Sequence, residues 1–243
     1  MSETDLPAAP WDRRRRRPAP AKVPLTRERI VEAAFTVLDR EGYDRLSMRQ
    51  VALELGVAVS ALYVHVANKD ELFELMYLRL FEGRELPDPD PERWQEQLKE
   101  FARDGRAALL RHRDMARISM GQLPFTPTLL PHVERLMAII RASGMPDRVA
   151  AMAGDLLSTY IEGFTLEEGM WLERYKDMDP STWEVKRQEI TDYFATLPPD
   201  RFPNMVAMAG LMVDESNDYR FELGLDILVR GLASYVEKTP EES

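Results

Sequence analysis

The stretch Ser47–Lys69, SMRQVALELGVAVSALYVHVANK, decides how the whole chain is read. Ser47 with Gln50 three residues later forms a capping box, in which the two side chains satisfy the free N–H groups that open a helix. Val51, Ala52 and Leu55 supply the buried face of that helix. Gly56 stops it, since glycine enters the left-handed conformation of a tight turn without steric cost. A short helix is predicted from about Val59 to Val66, and Asn68-Lys69-Asp70-Glu71 is a second capping box opening the next. Two helices joined so tightly need a small residue where they cross, and Ala52, four before Gly56, meets that need. Val51, Leu55, Val57 and Leu62 then hold the pair at one angle. The predicted unit is a helix-turn-helix, whose second helix can enter a DNA major groove while the first spans the backbone.

Upstream, Thr26 can cap a helix whose Ile30, Ala33, Ala34, Val37 and Leu38 share one face, and Gly42 ends it. Downstream, Leu72, Leu75, Met76 and Leu80 continue a fourth helix to about Gly83. Residues 1–24 hold Pro7, Pro10, Pro18, Pro20 and Pro24 around the run Arg13–Arg17, and are expected to be a disordered basic arm. Two readings of that arm stay open: a segment lying along phosphates or entering a minor groove, and a solvated tail. Pro87, Pro89 and Pro91 in Glu85–Glu92 (ELPDPDPE) cannot continue a helix and place a domain boundary there. The expected organisation is an arm (1–24), a helix-turn-helix domain (25–85) and a second domain (92–240). The second domain reads as all helix, broken at Gly121–Pro131, Gly144–Pro146, Asp177–Pro180 and Leu197–Pro203. Val149–Arg174 is long and rich in small residues that admit a neighbouring helix closely. Phe221, Leu225, Leu228, Leu232 and Tyr235 repeat at 4, 3, 4 and 3, a seam that either pairs with a second chain or serves as internal core.

The 243 residues carry a formal charge of -10, unevenly spread. Residues 1–69 hold 12 Lys and Arg against 9 Asp and Glu, and the rest hold 20 against 33. A phosphate-tolerant head on an acidic body fits this asymmetry. There is no cysteine, which excludes disulfides, thiolate metal sites and a cysteine nucleophile. No apolar run approaches the roughly 18–20 residues that span a bilayer. The N-terminal arginines are not followed by the apolar stretch of a signal peptide, so the chain is expected in the cytoplasm.

The helix TRERIVEAAFTVLDREGYDRLS, then MRQVALELGV, then SALYVHVANKDEL together resemble the tetracycline-repressor (TetR) family of bacterial regulators over residues 26–85. The Leu-Tyr-x-His-Val-x-Asn-Lys run is the most specific part. A looser similarity reaches into the sensing domain of the tetracycline repressor's own branch, through LLRHRDMARI (109–118) and TYIEGFTLEEG (159–169). The resemblance implies an all-α fold: an N-terminal three-helix helix-turn-helix DNA-binding domain and a helical C-terminal domain for ligand binding and dimerisation. It implies that Arg49 reads a guanine edge. Val59, Ser60 and Ala61 would face bases, Val59 and Ala61 offering apolar contact to thymine methyls. Tyr63, His65 and Lys69 would clamp phosphates, as would Ser47 besides its capping role. Leu62 and Val66 belong to the core. Without the family pattern, Tyr63 and His65 would read as a half-buried aromatic and a satisfied histidine.

The implied partners are a pseudo-palindromic DNA operator, a second copy of the chain and a small-molecule inducer, with no membrane. The helix from Lys69 to about Gly83 is expected to carry the signal. Candidate inducer-lining residues are Met115, Ile118, Met120, Phe125, Leu130, Met152, Leu156, Tyr160, Phe164 and Trp171, with Glu167 or Glu168 as polar anchors. Where the tetracycline repressor has a magnesium-binding histidine, this chain has Ser119, and His112 and His132 share no metal-ligand spacing, so neither metal nor cofactor is expected. An enzyme is disfavoured: there is no phosphate-cradling glycine loop, no Gly-x-Ser-x-Gly and no His-Glu-x-x-His. A helical interaction adaptor with a sequence-blind DNA-binding head is the other alternative.

Overall fold

The computed structural model describes residues 24–214 and 216–236, and every regular element within them is an α-helix. The head contains α1 (Arg27–Glu41), α2 (Met48–Leu55), α3 (Val59–Leu62) and α4 (Lys69–Arg79). Local chemistry sets three of the starts. Thr26, Ser47 and Asn68 lie in extended backbone, and their side chains accept from the N–H groups of Arg29, Gln50 and Glu71. The Glu71 carboxylate reaches back to the Ala67 N–H, closing the second box one residue early. Gly56 ends α2 with φ 65° and ψ 34°, and Ala52 is buried at the crossing.

Two elements are shorter than their sequence suggests. Helix α3 stops at Leu62 rather than Val66, because the Leu62 carbonyl accepts from both the His65 and Val66 N–H groups. This tight turn drops Val66 into the core, where it is fully buried. Helix α4 ends at Arg79, and turns carry the chain on to Gly83 at φ 70°. The Arg13–Arg17 arm lies outside the described residues.

The body holds α5 (Trp94–Leu109), α6 (Met115–Ser119), α7 (Leu130–Ala142), α8 (Asp147–Tyr175), α9 (Pro180–Ala195), α10 (Pro203–Met208), α11 (Leu211–Asp214) and α12 (Asn217–Ala233). α8 is its axis, packed by α5, α6, α7 and α12. Of its small residues, Ala150, Ala153 and Gly154 are buried. A Cβ on Gly154 would stand 2.7 Å from Met137 Cε of α7, so glycine there permits the close approach.

The α12 seam is internal core. Phe221, Leu225, Val229 and Leu232 are buried, facing α5 and α8. Val229 takes the place expected of Leu228, and Tyr235 is exposed beyond the helix end. Tyr219, Leu223 and Ile227, spaced by four, form a separate outward stripe. Salt bridges pin the layers together. Arg103 meets Glu222 at 2.8 Å and Lys99 meets Asp226 at 2.7 Å, joining α5 to α12. Arg106 donates twice to Glu168 of α8 and lies over the Phe221 ring. Glu168 is thereby consumed, while the adjacent Glu167 points away to Arg220.

Candidate nucleic-acid interface and enclosed cleft

The outer face of the head gathers α2, α3 and the turn that follows. Ser47 keeps its cap bond to Gln50 and is half-buried, while Arg49 and Ser60 project into solvent. Ala61 is half-buried, and Val59 packs partly against the core, leaving less of it to meet a base. Tyr63 is 52% exposed, with Leu62 beneath it fully buried. Val64, which the sequence reading passed over, is 81% exposed on the same turn. An uncovered β-branched side chain between Tyr63 and His65 was the available signal. His65 is held through its backbone: its carbonyl accepts from Arg27 Nε at 2.8 Å, and Arg27 also pairs with Glu71 at 3.0 Å. Lys69 lies over the rings of Tyr43 and Phe73, at 5.3 and 4.9 Å from their centroids, which aims its ammonium from the first turn of α4.

The head is keyed to the body where α1 ends. Asp39 accepts from the Arg113 N–H at 2.9 Å and contacts His112 Nδ1 at 2.8 Å, and His112 stacks on Phe35. Asp114, at φ 56°, accepts from the Tyr43 N–H at 2.9 Å. Arg117 lies 4.0 Å above the Tyr43 ring and pairs with Asp44. The apolar core runs without interruption from head to body.

Between α4, α5, α7 and α8 lies a half-open cleft of about 110 Å³. Tyr77, Leu80 and Phe81 form one wall; Phe101, Ala108, Leu109 and Ile161 line others. Ser119 donates to Glu162 at 2.5 Å within it. Burial pushes the Glu162 carboxyl up from its ordinary range, partly opposed by that hydrogen bond. Burial also pushes the Tyr77 hydroxyl up to about 12, helped by nearby Glu162. His132 is pushed below its ordinary range by burial and then by Arg84. A second cleft of about 360 Å³ shares Phe81, Arg84, Glu85, Leu86 and His132 with the first.

None of the residues expected to line an inducer site borders this cleft. Met115 and Ile118 are fully buried, and Met115 borders a different cleft beside the head–body joint. Met120, Phe125, Leu130, Met152, Leu156 and Trp171 are exposed. Tyr160 donates to the Phe221 carbonyl and stacks on that ring, Phe164 packs edge-on against it, and Glu167 pairs with Arg220. The physical reason is helical rotation: α8 turns Ser158, Ile161 and Glu162 to the cleft, which leaves Met152 and Leu156 on another face. Glu162 inside an apolar run was the signal that could have marked the cleft. Ser119 directs its hydroxyl to Glu162, and among the described residues no three His, Asp or Glu converge as a metal ion needs.

Residues 30–76 match the family described as bacterial regulatory proteins, tetR family, and residues 86–236 match the tetracyclin repressor-like C-terminal domain. The HTH-type transcriptional repressor DrrR1 of Streptomyces coeruleorubidus is 29% identical over 234 residues, covering 96% of this chain and 86% of the relative. The class G tetracycline repressor protein of Vibrio anguillarum is 30% identical, covering 85% and 93%. Among solved structures, ActR of Streptomyces coelicolor in complex with actinorhodin superposes with a TM-score of 0.78 at 41% identity, covering 89% of this chain and all of that one.

Proposed function

Because the chain belongs to the tetracycline-repressor (TetR) family of bacterial transcriptional regulators, we propose that it represses transcription from a pseudo-palindromic operator and lets go when a small molecule fills the cleft. One observation carries this reading. Helix α4, eleven residues long, begins on the DNA face with Lys69 and leads to Tyr77, Leu80 and Phe81 in the cleft wall. The cleft, at about 110 Å³, is smaller than the ~300–1,000 Å³ that organic ligands occupy, and an effector seated in it presses on that wall. The joint at Asp39, Tyr43 and Asp114 resists the push at the other side of the head and turns it into rotation. A coupling of about 1–3 kcal/mol would weaken operator binding roughly 5–150-fold. The solved ActR–actinorhodin complex supports a small-molecule effector.

On this reading the DNA contacts are Arg49, Val59, Ser60, Ala61, Tyr63, Val64, His65, Lys69 and Ser47, borne by a reading domain at 25–85, with sensing and pairing at 92–240. The functional unit is a homodimer that buries the outward stripes of α8 (Met152, Leu156) and α12 (Tyr219, Leu223, Ile227). It works in the cytoplasm as a binding switch that catalyses no reaction; no helix among the described residues is long and apolar enough to cross a membrane. Footprinting on the chain's own upstream DNA, with sedimentation of wild type and Ile227→Glu, tests the proposal. A protected two-fold site about one helical turn between half-sites supports it. Equal affinity for random fragments, or a monomeric wild type, refutes it and favours the adaptor.

A further inference from the structure

Two polar groups at one end of the cleft are left over by the fold. Arg84 follows α4 and donates to the Asp104 backbone carbonyl at 3.0 Å. Among the described residues it forms no ion pair. Asp104 and Glu85, which also line the cleft, are exposed. Burial and then the neighbouring Arg111 lower the Arg84 pKa, and nearby Asp104 offsets them only in part. Beside it, His132 Nε2 is buried with no hydrogen-bond partner. The His132 ring meets the Phe81 ring edge-on at 4.9 Å and lies tilted 6.1 Å from Phe101. A buried nitrogen without a partner costs free energy until something bonds to it. Elsewhere in the lining, Ser119 donates to Glu162, and burial disfavours the charged form of Glu162.

We propose that the Arg84–His132 end of the cleft is an anion subsite, and that the effector is an aromatic carboxylic acid whose carboxylate sits between the Arg84 guanidinium and His132 Nε2. This rests on reading the cleft as the effector site. The carboxylate supplies the close ion pair that Arg84 does not form among the described residues, and accepts the hydrogen bond His132 cannot otherwise make. Phe81, Phe101 and Ile161 cover the ring system. Glu162 sets the orientation: burial that disfavours its own charged form also disfavours a second carboxylate there, and its neutral carboxyl can bond to a carbonyl or hydroxyl.

The test uses anthraquinone-2-carboxylate and its uncharged carboxamide, titrated calorimetrically into the full-length protein, with operator release followed by gel shift. A charge-assisted pair predicts that the acid binds about 10- to 100-fold more tightly than the amide. Arg84→Gln should bring the acid to the amide's affinity and leave the amide unchanged. Arg84→Lys should keep part of the preference, and His132→Gln should remove part of it. Circular dichroism melts confirm that each variant is folded. Equal affinities in the wild type, a preference that survives Arg84→Gln, or binding of neither probe overturns the anion subsite. The underlying reading fails separately: if the acid is preferred but operator stays bound, the subsite stands and the effector role falls. If acid and amide release operator with equal potency, the reverse holds.

Discussion

Asp114 joins the reading head to the sensing body, and its replacement can be worked through from the structure. It is the non-glycine residue with a left-handed backbone among the described residues, at φ 56°. Its Oδ2 accepts the part-buried Tyr43 N–H at 2.9 Å across 71 residues of sequence. That oxygen also stands 3.0 Å from where a Cβ on Gly42 would be, so Gly42 makes the approach possible. Asp114→Ala loses the acceptor and strands a donor, costing about 1–3 kcal/mol. It also loses the tolerance of aspartate for the left-handed region, where an ordinary residue costs ~1–2 kcal/mol. Asp114→Gly loses the same acceptor but relieves the backbone. Asp114→Asn keeps both an acceptor and the tolerance. The expected order of destabilisation is therefore Asn, then Gly, then Ala, with Ala about 2–5 kcal/mol below wild type. Urea unfolding at one fixed protein concentration measures this, the concentration being held because a dimer's stability depends on it. Operator anisotropy should follow the same order, about fivefold in affinity for each 1 kcal/mol by which the head is loosened. A glycine variant as unstable as alanine would remove the backbone part of the argument. Three variants equal to wild type would show that the joint holds nothing.

Arg49→Ala should lose about 1–3 kcal/mol of operator binding and relax one base position; unchanged selectivity on operator variants removes it from the reading surface. Lys69→Gln should weaken binding evenly across sequences and reduce the salt slope by about one phosphate contact, and an unchanged slope would leave Lys69 only its packing on Tyr43 and Phe73. His132 has a folded pKa below its ordinary 6.5, so the unfolded chain binds a proton that the folded chain refuses. Stability is thus lost as pH falls from 6.5 through the folded value, and His132→Gln should show a shallower decline in melting temperature between pH 7.5 and 5.5; parallel curves would contradict this. Calorimetry of magnesium, with or without tetracycline, should give no binding heat, given that Ser119 is engaged with Glu162.

The fold class and the DNA-reading head were legible from residue order because their causes are local. Thr26, Ser47 and Asn68 act on N–H groups three residues away, Gly56 needs only its own φ, and the apolar faces of α1 and α2 repeat within a turn or two. The length of α3 was not legible, because burial of Val66 by distant side chains overrode a helical pattern. The cleft was still less so. Tyr77, Arg84, Ser119, His132 and Glu162 meet across 85 positions of sequence, and no spacing records that meeting. Met152 and Ile161 are equally apolar on α8, as are Leu228 and Val229 on α12. Only the packing of neighbouring helices chooses which of each pair turns inward, since the hydrophobic gain has no direction until a partner surface supplies one.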